Sequence, residues 1–146
     1  MRKTLLLVLF LYFAGGLVSG LVLGSLIFQY RVPNVSAIKT VGVRVYWDIN
    51  CTAEIASIDW GILEPSNTKI RIVYVKSISN IPQMLNIQAE NWNPPECTEY
   101  ITLTANPNTV EIQVNEVLEV TLTLNISKDV TGIKNFSFDI VFSGSG

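Results

Sequence analysis

The sequence predicts an all-β fold, an antiparallel β-sandwich of seven or eight strands preceded by one N-terminal transmembrane helix. Three observations carry this expectation. Residues 4–28 form a 25-residue run without a charge. Beyond Pro33 the apolar residues recur at every second position, the period of half-buried strands. Each such stretch is closed by Gly, Pro, Asn, Asp or Ser, the residues that favour turns.

The hydrophobic run comes first. The apolar part of a signal peptide spans about 7–15 residues, whereas a helix crossing a bilayer needs about 20. Arg2 and Lys3 precede the run and Arg31 follows it. The positive-inside rule then places the N-terminus in the cytoplasm and Val32 onward outside. Val18-Ser19-Gly20 is a small-residue cleavage site of mediocre quality, so an uncleaved signal-anchor is expected and a cleaved signal is the alternative. Gly16, Gly20 and Gly24 fall four residues apart. On a helix they share one smooth face on which a second helix packs closely in lipid.

The strands come next, in order. "VGVRVYW" (41–47) places Val41, Val43, Val45 and Trp47 on one face, with Arg44 and Tyr46 opposite, before a turn at Asp48-Ile49-Asn50. "SIDWGIL" (57–63) offers Ile58, Trp60 and Ile62 on one face. In "KIRIVYV" (69–75), Ile70, Ile72 and Tyr74 alternate with Arg71, Val73 and Val75. A short strand at 84–89 precedes "ENWNPPEC" (90–97), whose adjacent prolines cannot donate ladder hydrogen bonds and so read as a rigid loop. "YITLTA", "TVEIQV" and "VLEVTLTLNIS" are the next strands. The last of these sets Leu118, Val120, Leu122, Leu124 and Ile126 against a polar face. "NFSFDIVF" (135–142) turns Phe136, Phe138, Ile140 and Phe142 inward. Strands this short and this regularly spaced suit an immunoglobulin-like topology. The expected division is an anchor at 1–30, a linker at 31–37, the sandwich at 38–142 and a flexible tail at 143–146.

Charge and cysteine content bound the function. Residues 32–146 carry seven Lys or Arg against twelve Asp or Glu, scattered singly. No basic patch is present for nucleic acid and no polybasic stripe for lipid headgroups. Cys51 and Cys97 both fall in the part expected outside the cell, where two cysteines most simply form one disulfide. A metal site built on the two thiols would need further ligands, and the chain has no histidine. That absence also excludes a Ser-His-Asp triad and a Cys-His pair. Asp48 with Asp59, or Glu96 with Glu99, are the carboxylate pairs left, and exposed acids on strands and turns are ordinarily solvated surface. Asp48 and Asn50 with nearby carbonyls outline a conceivable calcium site but not an EF-hand loop. No catalytic residue, metal site or cofactor is expected.

Trp47 and Trp60 lie on apolar strand faces and are expected in the core. Trp92 falls in the Pro-rich loop, where it marks a possible binding loop, with a sugar ring as one partner. Asn34, Asn50, Asn125 and Asn135 each begin an Asn-x-Ser/Thr sequon, the acceptor for N-glycosylation in exported proteins.

"VYWDINCTAEIASIDWGILEP", continuing through "NWNPPECTEYITL" to "FSFDIVF", resembles a group of small archaeal cell-surface proteins with an N-terminal hydrophobic helix and one immunoglobulin-like domain. The resemblance implies an archaeal source, an extracellular domain and a sandwich fold, and it implies no activity. The architecture is also similar to that of archaeal pilins and archaellum stator subunits. Met1-Arg2-Lys3-Thr4 is shorter than a pilin leader and lacks the small residue at the cut. The expected function is that of a membrane-anchored structural or interaction protein of the cell envelope, with protein partners at the surface or self-association. A filament subunit and a secreted carbohydrate-binding module are the alternatives.

Overall fold

The computed structural model describes residues 32–146. The expected helix at 4–28, with Gly16, Gly20 and Gly24, lies outside the described residues. No helix among the described residues is long and apolar enough to cross a membrane. The strands are β1 (Val32–Val41), β2 (Val43–Tyr46), β3 (Ser57–Leu63), β4 (Thr68–Ser77), β5 (Gln83–Asn93), β6 (Ile101–Asn106), β7 (Thr109–Ile112), β8 (Val117–Ile126) and β9 (Phe136–Ser145). They form a five-stranded sheet ordered β3-β1-β9-β5-β7 and a four-stranded sheet ordered β2-β4-β8-β6. One core, drawn from both sheets, lies between them. Every ladder is antiparallel except β1 with β9, which is parallel from Asn34↔Phe136 to Val41↔Ser143. No hairpin joins these two strands, so nothing forces them to run in opposite directions.

The cleanest alternation in the sequence holds. Val120, Leu122, Leu124 and Ile126 of β8 are buried, and so are Phe136, Phe138, Ile140 and Phe142 of β9. Elsewhere the pattern breaks at a glycine. Gly42 (φ +73°) ends β1 and lets the chain cross to the other sheet as β2. Val41 before it is therefore 62% exposed while Val43 and Val45 are buried. Gly61 (φ +76°) sits at a bulge where Val35 and Asn34 of β1 face Asp59 and Gly61, leaving Trp60 as the extra residue. The Asp59 carboxylate accepts the Gly61 N–H at 2.8 Å and fastens the bulge. The bulge inverts the phase of the last residues of β3, so Ile62 is exposed and Leu63 fills the core.

Several expectations need correction. Residues 32–37 are not a linker, because they form most of β1. Residues 143–145 are not a tail, because β9 continues to Ser145. Trp47 is 42% exposed, since the chain has left β2 and its N–H bonds Ala53 O in a local hairpin. For β4 the sequence leaves the inward face open, and the structure turns Val73, Val75 and Ser77 inward while Ile70 and Ile72 face solvent. Arg71 lies half-buried on the inward phase with its guanidinium 5.6 Å from the Trp60 ring, a cation–π contact at the edge of the core. Trp60 is buried as expected and donates through Nε1 to the buried Ser36 hydroxyl at 3.1 Å.

Where β1 crosses to β2, the core is closed by a polar plug. The buried Gln83 amide donates to Gly42 O at 2.7 Å and to Ser77 Oγ at 3.3 Å. A Cβ on Gly144 would stand 2.1 Å from Gln83 Oε1, so this glycine is required by the close approach of that side chain.

Leu122 faces the core from a central strand and Thr121 points outward beside it. Leu122→Ala is expected to cost about 2–5 kcal/mol in a denaturant melt, by cavity creation. Thr121→Ala is expected to stay within about 0.5 kcal/mol. Equal shifts for the two variants would contradict the assignment of the inward face.

Candidate functional site

The two sheets are not matched along their whole length. β7 is four residues long and pairs only with 83–86 of β5. On that side the remainder of β5, through Asn93, has no strand partner. On the other sheet β6 is the edge strand, paired only with β8. A groove of about 370 Å³ lies between these two free edges. Ile87, Ala89 and Trp92 form one wall, Ile101 and Leu103 the other, and Thr98 closes it from the short 3₁₀ turn Pro95–Glu99.

Trp92 belongs to this wall and not to a loop, because β5 runs on through "ENWN" past a bulge between Glu90 and Asn93. Its ring stacks on Phe138 with centroids 4.2 Å apart and planes 13° from parallel, and Phe136 lies 6.4 Å away. One face of the indole is thus committed to the core, and the residue is half-buried. A sugar platform on Trp92 has only what remains of the ring. The larger exposed indole is Trp47, beside Ile49, which is 64% exposed.

Charge determines what the groove suits. β5, the 3₁₀ turn and β6 carry no Lys or Arg, while Glu90, Glu96 and Glu99 are exposed on them. An anionic ligand would find no counter-charge on these elements. A neutral extended chain fits better, since it can pair with a free strand edge and set apolar side chains against Ile87 and Leu103.

The disulfide expectation is overturned: Cys51 and Cys97 are both free thiols. Cys51 sits at φ +56° in a hairpin tip outside β2, where Trp47 N–H bonds Ala53 O and Ile55 N–H bonds Val45 O. Cys97 is fully buried in the 3₁₀ turn that leads into β6. β4 and β8 lie between those two edges. Three strand spacings amount to roughly 14 Å. A disulfide tolerates a Cα separation of only about 7 Å. Burial, reinforced by Glu96 beside it, pushes the Cys97 thiol above its ordinary pKa, so it is a poor nucleophile.

The carboxylates are used structurally. Asp48 accepts from Ala53 N–H at 2.8 Å and from the Thr52 N–H and hydroxyl. These bonds, the one from Ala53 first, hold its carboxyl below the usual range. They close the loop on which a calcium site was conceivable. Asp59 is occupied by the Gly61 bulge. Among the described residues no three His, Cys, Asp or Glu side chains are grouped to hold a metal ion.

The sequons divide. Asn34 is 3% exposed on the inward face of β1. A glycan cannot be accommodated there in the folded domain, which removes Asn34 from the candidate acceptors. Asn50 and Asn135 are exposed. Asn125 is half-buried on the outer face of β8, its Oδ1 accepting from the Thr68 hydroxyl at 2.9 Å.

The chain matches no protein-family model and no curated protein sequence. The site therefore stands on its geometry alone. That geometry is a groove between two unpaired strand edges, lined by aliphatic and aromatic side chains with threonine and glutamine among them.

Free thiols of unequal exposure give a direct check. In the native protein, without reductant, iodoacetamide is expected to alkylate Cys51 and to spare Cys97 until the domain unfolds. Both cysteines resisting alkylation until a reductant is added would restore the disulfide.

Proposed function

We propose that this chain is a single-pass, membrane-anchored protein whose β-sandwich, immunoglobulin-like in topology, stands outside the cell as a structural or interaction module. The observation that carries this reading is the 25-residue run without a charge at 4–28, which precedes in sequence a two-sheet domain with one apolar core. Arg2 and Lys3 favour an inside N-terminus. The crossing of the first strand from one sheet to the other at Gly42 supports the immunoglobulin-like topology. The exposed sequons at Asn50 and Asn135 agree with an external domain, as does the resemblance to archaeal surface proteins.

The partner at the groove is a protein segment in this reading, not nucleic acid and not an anionic metabolite. Gly16, Gly20 and Gly24 add a second route to association, between helices in the membrane. A secreted carbohydrate-binding module is the second reading, favoured by one observation, the exposure of Trp47. A pilin-like filament subunit remains an alternative outcome of the same experiment.

Intact mass, alkaline extraction and protease shaving of cells separate these readings. The anchored protein is expected to keep residues 1–31, to resist extraction at high pH, and to lose its domain to protease added outside. Loss of the first 20 or so residues with release into the medium would contradict the anchor and favour the secreted module. Sedimentation with sheared filaments would contradict it in favour of the filament subunit.

A further inference from the structure

The strands that begin and end the domain are side by side, parallel, and inside a sheet. In the order β3-β1-β9-β5-β7, β1 is flanked by β3 and β9, and β9 by β1 and β5. The parallel register runs from Asn34↔Phe136 to Val41↔Ser143. The chain therefore enters at the end marked by Val32 and leaves at the opposite end, near Ser145.

We propose that the β1–β9 ladder is a shear clamp that keeps the domain folded against tension applied along its first and last strands. This rests on the anchored reading for the source of the load, since a membrane span before Val32 pulls on β1 while anything held through residue 145 pulls on β9. Such a load acts along the strands. The ladder cannot open one hydrogen bond at a time, because parallel strands drawn from opposite ends slide against each other. Neither loaded strand is an edge that can peel away, so extracting either one shears two ladders at once.

Two further features resist sliding. A slip of one residue would turn the inward Asn34, Ser36 and Ile38 to the wrong face, so a single-step displacement finds no favourable register. On the outer face, Asp139 of β9 pairs with Lys39 of β1 and accepts from Asn91 of β5 at 2.6 Å, linking three adjacent strands. The long axis of the clamp also runs from the end marked by Val32 to the end marked by Ser145. A load in that direction meets the ladder where it is strongest.

Single-molecule pulling on the full chain in detergent micelles tests this by changing only the attachment point. One geometry holds the N-terminus and the C-terminus. The other holds the N-terminus and a handle at Thr131, an exposed residue in the connection before β9, at the same end as Val32. The second geometry unzips β1 from β9 instead of shearing them. At one loading rate the end-to-end geometry is expected to need a force roughly twofold or more higher, because many ladder bonds must break together. Val41→Pro deletes an N–H that, by alternation from Ile38 N–H to Ala56 O, points toward β9. It is expected to lower the end-to-end force and leave the Thr131 geometry unchanged. Equal forces in the two wild-type geometries would overturn the clamp. They would leave the anchor untouched, since extraction and intact mass report on that separately.

Discussion

The parallel pairing of β1 with β9 is the constraint on which the rest of the domain depends. It joins the first strand to the last and so makes the fold's longest sequence separation one of its most central contacts. Before it forms, the chain must pay the entropy of closing that loop. Once formed, it places Ser36 and Ile38 of β1 beside Phe138 and Ile140 of β9 on one inward face. β3 pairs with the other side of β1, and its bulge at Gly61 sets Trp60 against Ser36. The wall of the core formed by the five-stranded sheet is thus organised from its centre outward.

The groove results from the same arrangement. β5 pairs with β9 along most of its length and is fixed by it, whereas β7 covers only the start of β5. The chain crosses between sheets at Pro107, and the ends of the two sheets farthest from that crossing are left open. Trp92 fills part of the gap by stacking on Phe138. What remains is a slot with two unpaired strand edges and few charges. Natural sheets usually blunt such edges with Lys, Pro or short strands. β7 and β2 are short, and β2 is further covered by the bridge of Tyr46 to Glu54. β6 has no such protection, since "ITLTAN" contains no charge and no proline.

Most of the fold was legible from local pattern. β8 and β9 could be read residue by residue because both have one wet and one dry face, and their alternation is uninterrupted. The inward face of "SIDWGIL" was legible only as far as Trp60, because a glycine bulge costs one residue of phase and is written no differently from a glycine in register. β1 escaped notice because its inward positions near the start are Asn34 and Ser36, polar residues that give no hydrophobic period. The groove was half visible: Trp92 stood out, but the free edges beside it depend on which strands are neighbours, and that is set by the whole topology. Gln83 carried no signal at all, since a glutamine at the start of a strand is ordinary until Gly42, Ser77 and Gly144 are seen around it. The cysteines misled because the compartment argument says nothing about distance.

Native-state hydrogen exchange on the amides of β1 tests the central role of the β1–β9 ladder most directly. If that ladder is integral to the domain, the amides of residues 35–40 exchange only through global unfolding, with the same free energy as those of β8. Exchange of β1 through a local opening, at a free energy well below that of β8 while β9 stays protected, would show that the first strand is an appendage and that the core stands without it.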